Sequence, residues 1–260
     1  MWQKISQMKN LVMAVLMLAT TTSVQDSGLL DVLLLKFEKK YNCNVRVVAV
    51  GSGAAIRIAR EGNADIIFVH DRKSEEKLIK DGFGIKRYEV MHNDFVIAGP
   101  ENDPAGICRV KNAEKVFARI SSTNSLFVSR GDDSGTHEKE KEIWSAIKVK
   151  PGGKWYLESG QGMIESLRIA SEKNAYILTD RATYIAHRKE LNLEILISGD
   201  KILYNPYSLI PISPKKYPDV NCDLAMKFVD YITKGEGRNI IQEYGIKKHG
   251  QQLFFLERKK

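Results

Sequence analysis

An α/β fold in two lobes, each a mostly parallel sheet flanked by helices, is what this sequence predicts, and three observations predict it. Short apolar runs rich in β-branched residues alternate with amphipathic stretches of helical period along nearly the whole chain. The alternation pauses twice, at the turn from Pro100 to Pro104 and in an extended run through Pro206, so two halves are joined by two crossovers. The turns that follow the strands are rich in Ser, Thr and Gly, and open α/β sheets bind ligands outside the carboxyl ends of their strands. The expected division is 15–99 with 206–260 as one lobe and 100–205 as the other, with a cleft between them.

The composition agrees with a globular chain. Its 260 residues are 43% hydrophobic and 28% charged, enough for two domains of ordinary size, and no repeat of fixed period is visible. A net charge of +8 could serve nucleic acid, an anionic surface or an anionic ligand. Its basic residues are interleaved with 32 acids, and no clustered basic helix or aromatic platform is present, so nucleic acid is not the expected partner. The tightest basic cluster, Arg258-Lys259-Lys260, reads as a solvated tail. Cys43, Cys108 and Cys222 are far apart and odd in number, which excludes a CxxC metal site and allows at most one bridge. The histidines have no metal spacing, so neither a metal centre nor a cofactor is expected.

Taken in order, the chain opens with Lys4, Lys9 and the apolar run Leu11–Ala19, which has the outline of a secretory leader. Val15–Leu18 reads equally as the buried first strand of a parallel sheet. Cleavage after Ala19 would remove that strand, so the run is read as strand. The hydroxyl turn Thr20–Ser23 and a helix over Leu29–Lys40 follow, with Leu30, Leu33, Leu34 and Phe37 on one face. Strand Val45–Val50 leads through Gly51-Ser52-Gly53 into a short helix ending near Glu61. Next come strand Ala64–Val69, helix Ser74–Asp81 and strand Phe95–Ala98. The second half gives helix Ala113–Ile120, strand Leu126–Val128, helix Glu138–Ile147, strand Trp155–Glu158, the turn Ser159–Met163, helix Ile164–Ser171, strand Ala175–Leu178 and a helix after Asp180. The extended run Ile202–Pro214 and helices Cys222–Thr233 and Gly237–Tyr244 close the chain.

One turn stands out: Ser129–His137, S-R-G-D-D-S-G-T-H, between strand and helix, with no apolar side chain to bury. A helix N-terminus offers unpaired N–H groups and partial positive charge, so this turn is built to meet an anion, and Arg130 adds a planar donor fork. It is equally a capped helix, with Asp133 or Ser134 as N-cap and glycines for the turn. A hydrolase with Ser134 as nucleophile, His137 as base and Asp132 or Asp133 as orienter is a remote alternative, since the carboxylates sit before the helix and no GxSxG elbow exists.

Several motifs together resemble the tungstate-binding proteins of ABC transporters, a branch of the type II periplasmic-binding-protein superfamily. They are A-T-T-T-S at Ala19–Ser23 with D-S-G-L-L at Asp26–Leu30, V-V-A-V-G-S-G at Val47–Gly53, and A-D-I-I-F-V-H at Ala64–His70. N-D-F-V-I-A-G-P at Asn93–Pro100, D-P-A-G-I at Asp103–Ile107 and F-V-S-R-G-D-D-S-G-T-H at Phe127–His137 complete the set. Val24 departs from the pattern, standing where relatives often carry another hydroxyl. The resemblance implies a monomeric, two-lobed, periplasmic or cell-surface receptor that holds tungstate or molybdate in the interlobe cleft and delivers it to an ABC permease, without catalysis. It maps ligand contacts onto Thr21, Thr22 and Ser23, onto Ser52 and Gly53, and onto Arg130, Ser134, Gly135 and Thr136. A phosphate or sulfate receptor of the same fold is the alternative: hydrogen phosphate needs a carboxylate aimed at its proton, and Asp132 and Asp133 are candidates. His70, His92 and His137 read as hydrogen-bonded turn residues, Asp65 and Asp94 as turn or capping groups, and Trp144, Trp155 and Phe228 as core.

Overall fold

The computed structural model describes residues 13–257; the Lys4 and Lys9 leader reading and the Arg258–Lys260 tail lie outside them. The first elements in chain order are β1 (Ala14–Thr21), α1 (Thr22–Asp26), α2 (Leu29–Tyr41), β2 (Cys43–Val50), α3 (Ser52–Arg60), β3 (Ile66–Val69), α4 (Arg72–Lys80) and β4 (Tyr88–Gly99). Then come α5 (Ala113–Ser122), β5 (Phe127–Ser129), α6 (Gly135–Ala146), β6 (Tyr156–Glu158), α7 (Met163–Glu172), β7 (Tyr176–Asp180), α8 (Arg181–His187) and β8 (Glu194–Ile197). The chain ends with β9 (Tyr204–Pro211), α9 (Cys222–Thr233), α10 (Glu236–Glu243), α11 (Ile246–His249) and β10 (Phe255–Leu256).

The strands line up as β2-β1-β3-β9-β4-β7-β5-β6, with β8 and β10 added on β4. β2, β1 and β3 run parallel, as do β7, β5 and β6; between these trios lie β9 and β4, antiparallel to each other and to the strands beside them. β4 serves both sides: Tyr88–Asp94 pairs with β9, whereas Phe95–Ala98 pairs with β7. A parallel strand with neighbours on both edges and helices on both faces must be apolar throughout. β1 satisfies this as far as Ala19, with Leu16, Leu18 and Ala19 at most 1% exposed, so Val15–Leu18 lies in a strand paired on both edges.

Three apolar clusters fill the space between sheet and helices. One joins Phe37 of α2 to Phe228 of α9, rings edge-to-face at 4.9 Å, and extends under β4 to Met163 and Leu167 of α7. A second packs Phe117, Phe127 and Trp144 under β5, the Phe117 and Trp144 rings 4.5 Å apart. The third lies beneath α3 and α4 around Ile56, Ile67 and Leu78. Trp144 and Phe228 are buried core as expected, and Trp155 packs at the margin of the second cluster.

Some expectations need correcting. Thr20 and Thr21 belong to β1, not to a turn, because Thr20 Oγ1 is tied sideways to the Phe68 carbonyl at 2.8 Å; the helix starts at Thr22. Asp94 neither caps nor turns but holds Arg181 through two bonds of 2.6 Å. Asp65 does bind backbone, receiving Met17 N–H at 2.7 Å and Asn221 N–H at 2.6 Å, which ties the middle of β1 to the start of α9. The short β8 and β10 and the single turn of α11 carried no periodic signal, and Ile202–Pro214 is strand only over β9.

Candidate functional site

Parallel pairing sets where the first two turns emerge. Thr21 is opposite Val50, so the Thr21–Ser23 segment and the Gly51–Gly53 segment leave neighbouring strands side by side at their carboxyl ends. Thr21 is the N-cap of α1: its Oγ1 receives the Val24 N–H at 3.4 Å and lies 3.0 Å from Ser23 Oγ. Thr22 is the first residue of that helix, and Ser52 begins α3 with Gly51 before it.

The third turn comes from the other parallel trio. Asp133 adopts a left-handed φ of 54°, which turns the chain so that Ser134 can cap α6; Ser134 Oγ receives the His137 N–H at 3.3 Å. Asp132 holds Arg130 with one oxygen and the Ser134 N–H with the other, at 3.1 Å. Arg130 also donates from Nε to the Gln161 carbonyl at 2.8 Å, so the glycine-containing turn after β6 braces the guanidinium. Asp133 pairs with Lys141 at 3.1 Å, and His137 Nδ1 receives the Asp133 N–H at 3.0 Å. Its Nδ1 is thus committed to turn backbone, and His137, expected in a turn, is instead the third residue of α6.

The two sets of turns meet. A Cβ on Gly51 would lie 3.2 Å from Ser134 Cα, and one on Gly53 would lie 3.1 Å from the Asp133 carbonyl. On Gly135 it would meet His70 Cε1 at 2.8 Å and Ser52 Oγ at 3.0 Å. A side chain at any of the three would push the facing atoms back, so glycine eases this close approach. Ser52, Gly53, Ser134 and Gly135 are therefore brought together at one seam, with Thr136 buried on the next residue of α6. Ser52 Oγ is fully buried there and has no hydrogen-bond partner. An orphaned hydroxyl costs about 1–3 kcal/mol, which a ligand able to accept its proton would recover. Ser23 reaches across as well, its carbonyl receiving Thr183 Oγ1 at 3.4 Å, and a groove of about 1000 Å³ opens beside the seam along His70, Gly135, Lys139 and Lys201.

Behind the seam lies a buried polar network that sequence reasoning missed. Asn93 and Asn205 are directly opposed on β4 and β9, and Asn205 Nδ2 donates to Asn93 Oδ1 at 2.7 Å and to the Tyr207 hydroxyl at 3.1 Å. His70 Nδ1 lies 2.7 Å from Asn205 Oδ1, and its ring stacks on Tyr207 with centroids 4.7 Å apart. Burial pushes the His70 imidazole down to about 4, so it is neutral. Asp26 is pushed up to about 6 by burial and by the nearby Asp180 carboxylate. The sequence signals for this network were Asn93 in the N-D-F-V-I-A-G-P motif and His70 at the end of A-D-I-I-F-V-H; Asn205 and Tyr207 sit in a run without periodicity.

The helix that carries Ser134–Thr136 is fixed from beneath by Glu140, whose Oε1 accepts from Trp144 Nε1 at 3.0 Å and from Tyr156 at 2.7 Å. Burial pushes this carboxyl up from 4.5 to about 7. The folded state holds its proton more tightly than the unfolded chain, so the contribution is fully present below the unfolded value and is lost as pH rises towards and through 7. Wild-type protein is expected to lose on the order of 1–3 kcal/mol more than Glu140→Gln between about pH 5 and about pH 8. Calorimetric melting at both pH values checks this; parallel losses would contradict it.

Comparison with known proteins follows the same outline. The PBP superfamily domain matches residues 13–236. The tungstate-binding protein TupA of Peptoclostridium acidaminophilum is 41% identical over 241 residues, covering 92% of this chain and 84% of that protein. The crystal structure of the tungstate ABC transporter from Geobacter sulfurreducens superposes with a TM-score of 0.81 at 50% identity, over 88% of this chain and 98% of that one. TupA from Desulfovibrio alaskensis G20 gives 0.78 at 39% identity, over 95% and 100%.

Proposed function

We propose, from the premise that this chain belongs to the tungstate-binding proteins of ABC transporters within the PBP superfamily, that it captures a tetrahedral oxyanion at the seam between its turns. The observation that carries this reading is the fully buried, unpartnered Ser52 hydroxyl, set among strand ends that present donors. In this account 15–99 with 206–260 and 100–205 are two lobes, β4 and β9 are the crossovers, and the anion lies between Thr21–Ser23, Ser52–Gly53 and Arg130 with Ser134–Thr136. The protein acts outside the cytoplasm as a monomer, hands its ligand to a membrane permease, and neither turns over substrate nor binds nucleic acid.

Charge-assisted hydrogen bonds contribute roughly 1.5–3 kcal/mol each, so four or five around a dianion reach the roughly 12 kcal/mol of a nanomolar complex. The two carboxylates of the Arg130–Ser134 turn are engaged, Asp132 by Arg130 and the Ser134 amide, Asp133 by Lys141. That favours a fully deprotonated guest, tungstate or molybdate, over phosphate; sulfate differs chiefly by being smaller. Calorimetry with the four anions is expected to rank tungstate and molybdate first and phosphate last. A saturating oxyanion at about a hundred times its Kd should add about 2.7 kcal/mol to stability. Phosphate tighter than tungstate, or ester hydrolysis abolished by Ser134→Ala, would overturn the reading.

A further inference from the structure

The polarity of the buried network can be worked out proton by proton. The backbone N–H of Thr183 can only donate, and it does so to Asp180 Oδ1 at 2.9 Å, so that oxygen is an acceptor. Asn93 approaches the same oxygen at 3.3 Å and must present its NH2 there, which turns its carbonyl towards Asn205. Asn205 must then present its own NH2 to Asn93 and to Tyr207, and its carbonyl to His70. Neutral His70 accordingly carries its proton on Nδ1. Having accepted from Asn205, the Tyr207 hydroxyl directs its proton to Ser23 Oγ, 3.4 Å away. Ser23 and Thr21 lie 3.0 Å apart, and Thr21 Oγ1 already receives the Val24 N–H. Two hydroxyl protons are left for one mutual bond, so one of them has no acceptor among Tyr207, Ser23 and Thr21.

We infer that Asn205 is a positioning and specificity-determining residue: acting through Tyr207, it fixes the direction of the Ser23–Thr21 hydroxyl chain so that the anion cradle presents a proton and not a lone pair. From Asn205 through Tyr207 to Ser23 the donor arrows run from the crossover strand β9 towards the cradle. A fully deprotonated oxyanion is met by a donor, whereas hydrogen phosphate, whose proton needs an acceptor, is not served. This rests on the oxyanion reading above and adds to it how the site discriminates. Asn205 does not touch the anion in this account; it acts on the hydroxyls that do.

Asn205→Asp is nearly isosteric and keeps the acceptor for His70, but replaces the NH2 by an oxygen, to which Asn93 must turn its own NH2. Tyr207 then donates to residue 205, Ser23 can donate to Tyr207, and Thr21 to Ser23, which leaves a lone pair at the cradle. The test measures Kd for tungstate, sulfate and phosphate by calorimetry on wild type, Asn205→Asp, Tyr207→Phe and the double variant, at a pH where phosphate is the hydrogen-phosphate dianion. The added charge repels three dianions alike, so the ratio of tungstate to phosphate affinity isolates hydrogen-bond polarity. That ratio is expected to fall about tenfold or more in Asn205→Asp, the worth of one reversed hydrogen bond, with sulfate following tungstate. In the Tyr207→Phe background, where the relay is cut, Asn205→Asp should change the ratio less than about twofold, a non-additivity that a general loss of stability does not produce. Tyr207→Phe alone, which removes one oxygen from a buried ring, should itself lower the ratio. The proposal is overturned if all anions weaken in proportion, if the ratio is unchanged in Tyr207→Phe, or if the effect of Asn205→Asp persists without the tyrosine hydroxyl. Wild-type protein that binds none of the three anions would overturn the oxyanion reading itself, and the relay with it.

Discussion

Arg130→Ala is expected to weaken tungstate binding by about 2–5 kcal/mol, the cost of removing the cation from a desolvated charge pair. The side chain is only 2% exposed and is held on two sides, by the Gln161 carbonyl and by Asp132. A guanidinium has five N–H donors, and these two contacts occupy one each, so donors remain for an anion at the end of β5. Removal would also leave the Asp132 carboxylate unpaired beside an incoming dianion, adding repulsion to the lost attraction. Lysine should restore part of the affinity, as a point charge without the planar fork. If Arg130 only braces the turn, Arg130→Ala lowers the melting temperature while affinity falls little. Melting and tungstate affinity measured on the same variants separate these cases. Thr136→Ala, which removes one hydroxyl donor, should cost less, about 1–3 kcal/mol.

Gly135→Ala should separate binding from folding in the opposite sense. Alanine is the better helix former by about 1 kcal/mol, and Gly135 is the first residue of α6. Its methyl group, however, would sit 2.8 Å from His70 Cε1 and 3.0 Å from Ser52 Oγ. His70 cannot yield easily, because Asn205 holds its Nδ1 and Tyr207 stacks on its ring. The seam is therefore expected to be wedged apart, with an overpacking penalty of about 1–3 kcal/mol falling on the bound, closed arrangement and affinity dropping about 10- to 100-fold. Gly152→Ala is the control, since a methyl group there meets nothing within 4 Å. Unchanged affinity in Gly135→Ala would mean that the seam need not close on the ligand.

Much of this was legible in the sequence, for identifiable reasons. Val15–Leu18 announces itself as a strand because a strand inside a parallel sheet reads as a continuous apolar run, whereas Val45–Val50, an edge strand with Arg46 exposed, does so through its β-branched valines. Glycine at 51, 53 and 135 was visible as turn geometry, but its true reason, the approach of two chain segments distant in sequence, appears only when the segments are side by side. The capping role of Ser134 and the anion-site role of the same turn were set as alternatives, yet the hydroxyl that caps α6 stands at the seam beside Arg130's turn, so the geometry does not oppose them. What sequence could not supply was Asn205. An asparagine next to a proline reads as a loop, and its meaning comes wholly from cross-strand partners at Asn93, His70 and Tyr207 that no local period connects.

The most direct measurement is a crystal structure of the protein grown with tungstate, with anomalous scattering collected at the tungsten edge to locate the metal without model bias. The account predicts one strong peak at the seam, with oxygens within hydrogen-bond distance of Ser52 Oγ, the Thr21–Ser23 hydroxyls and the Arg130 guanidinium. A peak confined to the open groove along Lys139 and Lys201, or no peak at saturating tungstate, would contradict it.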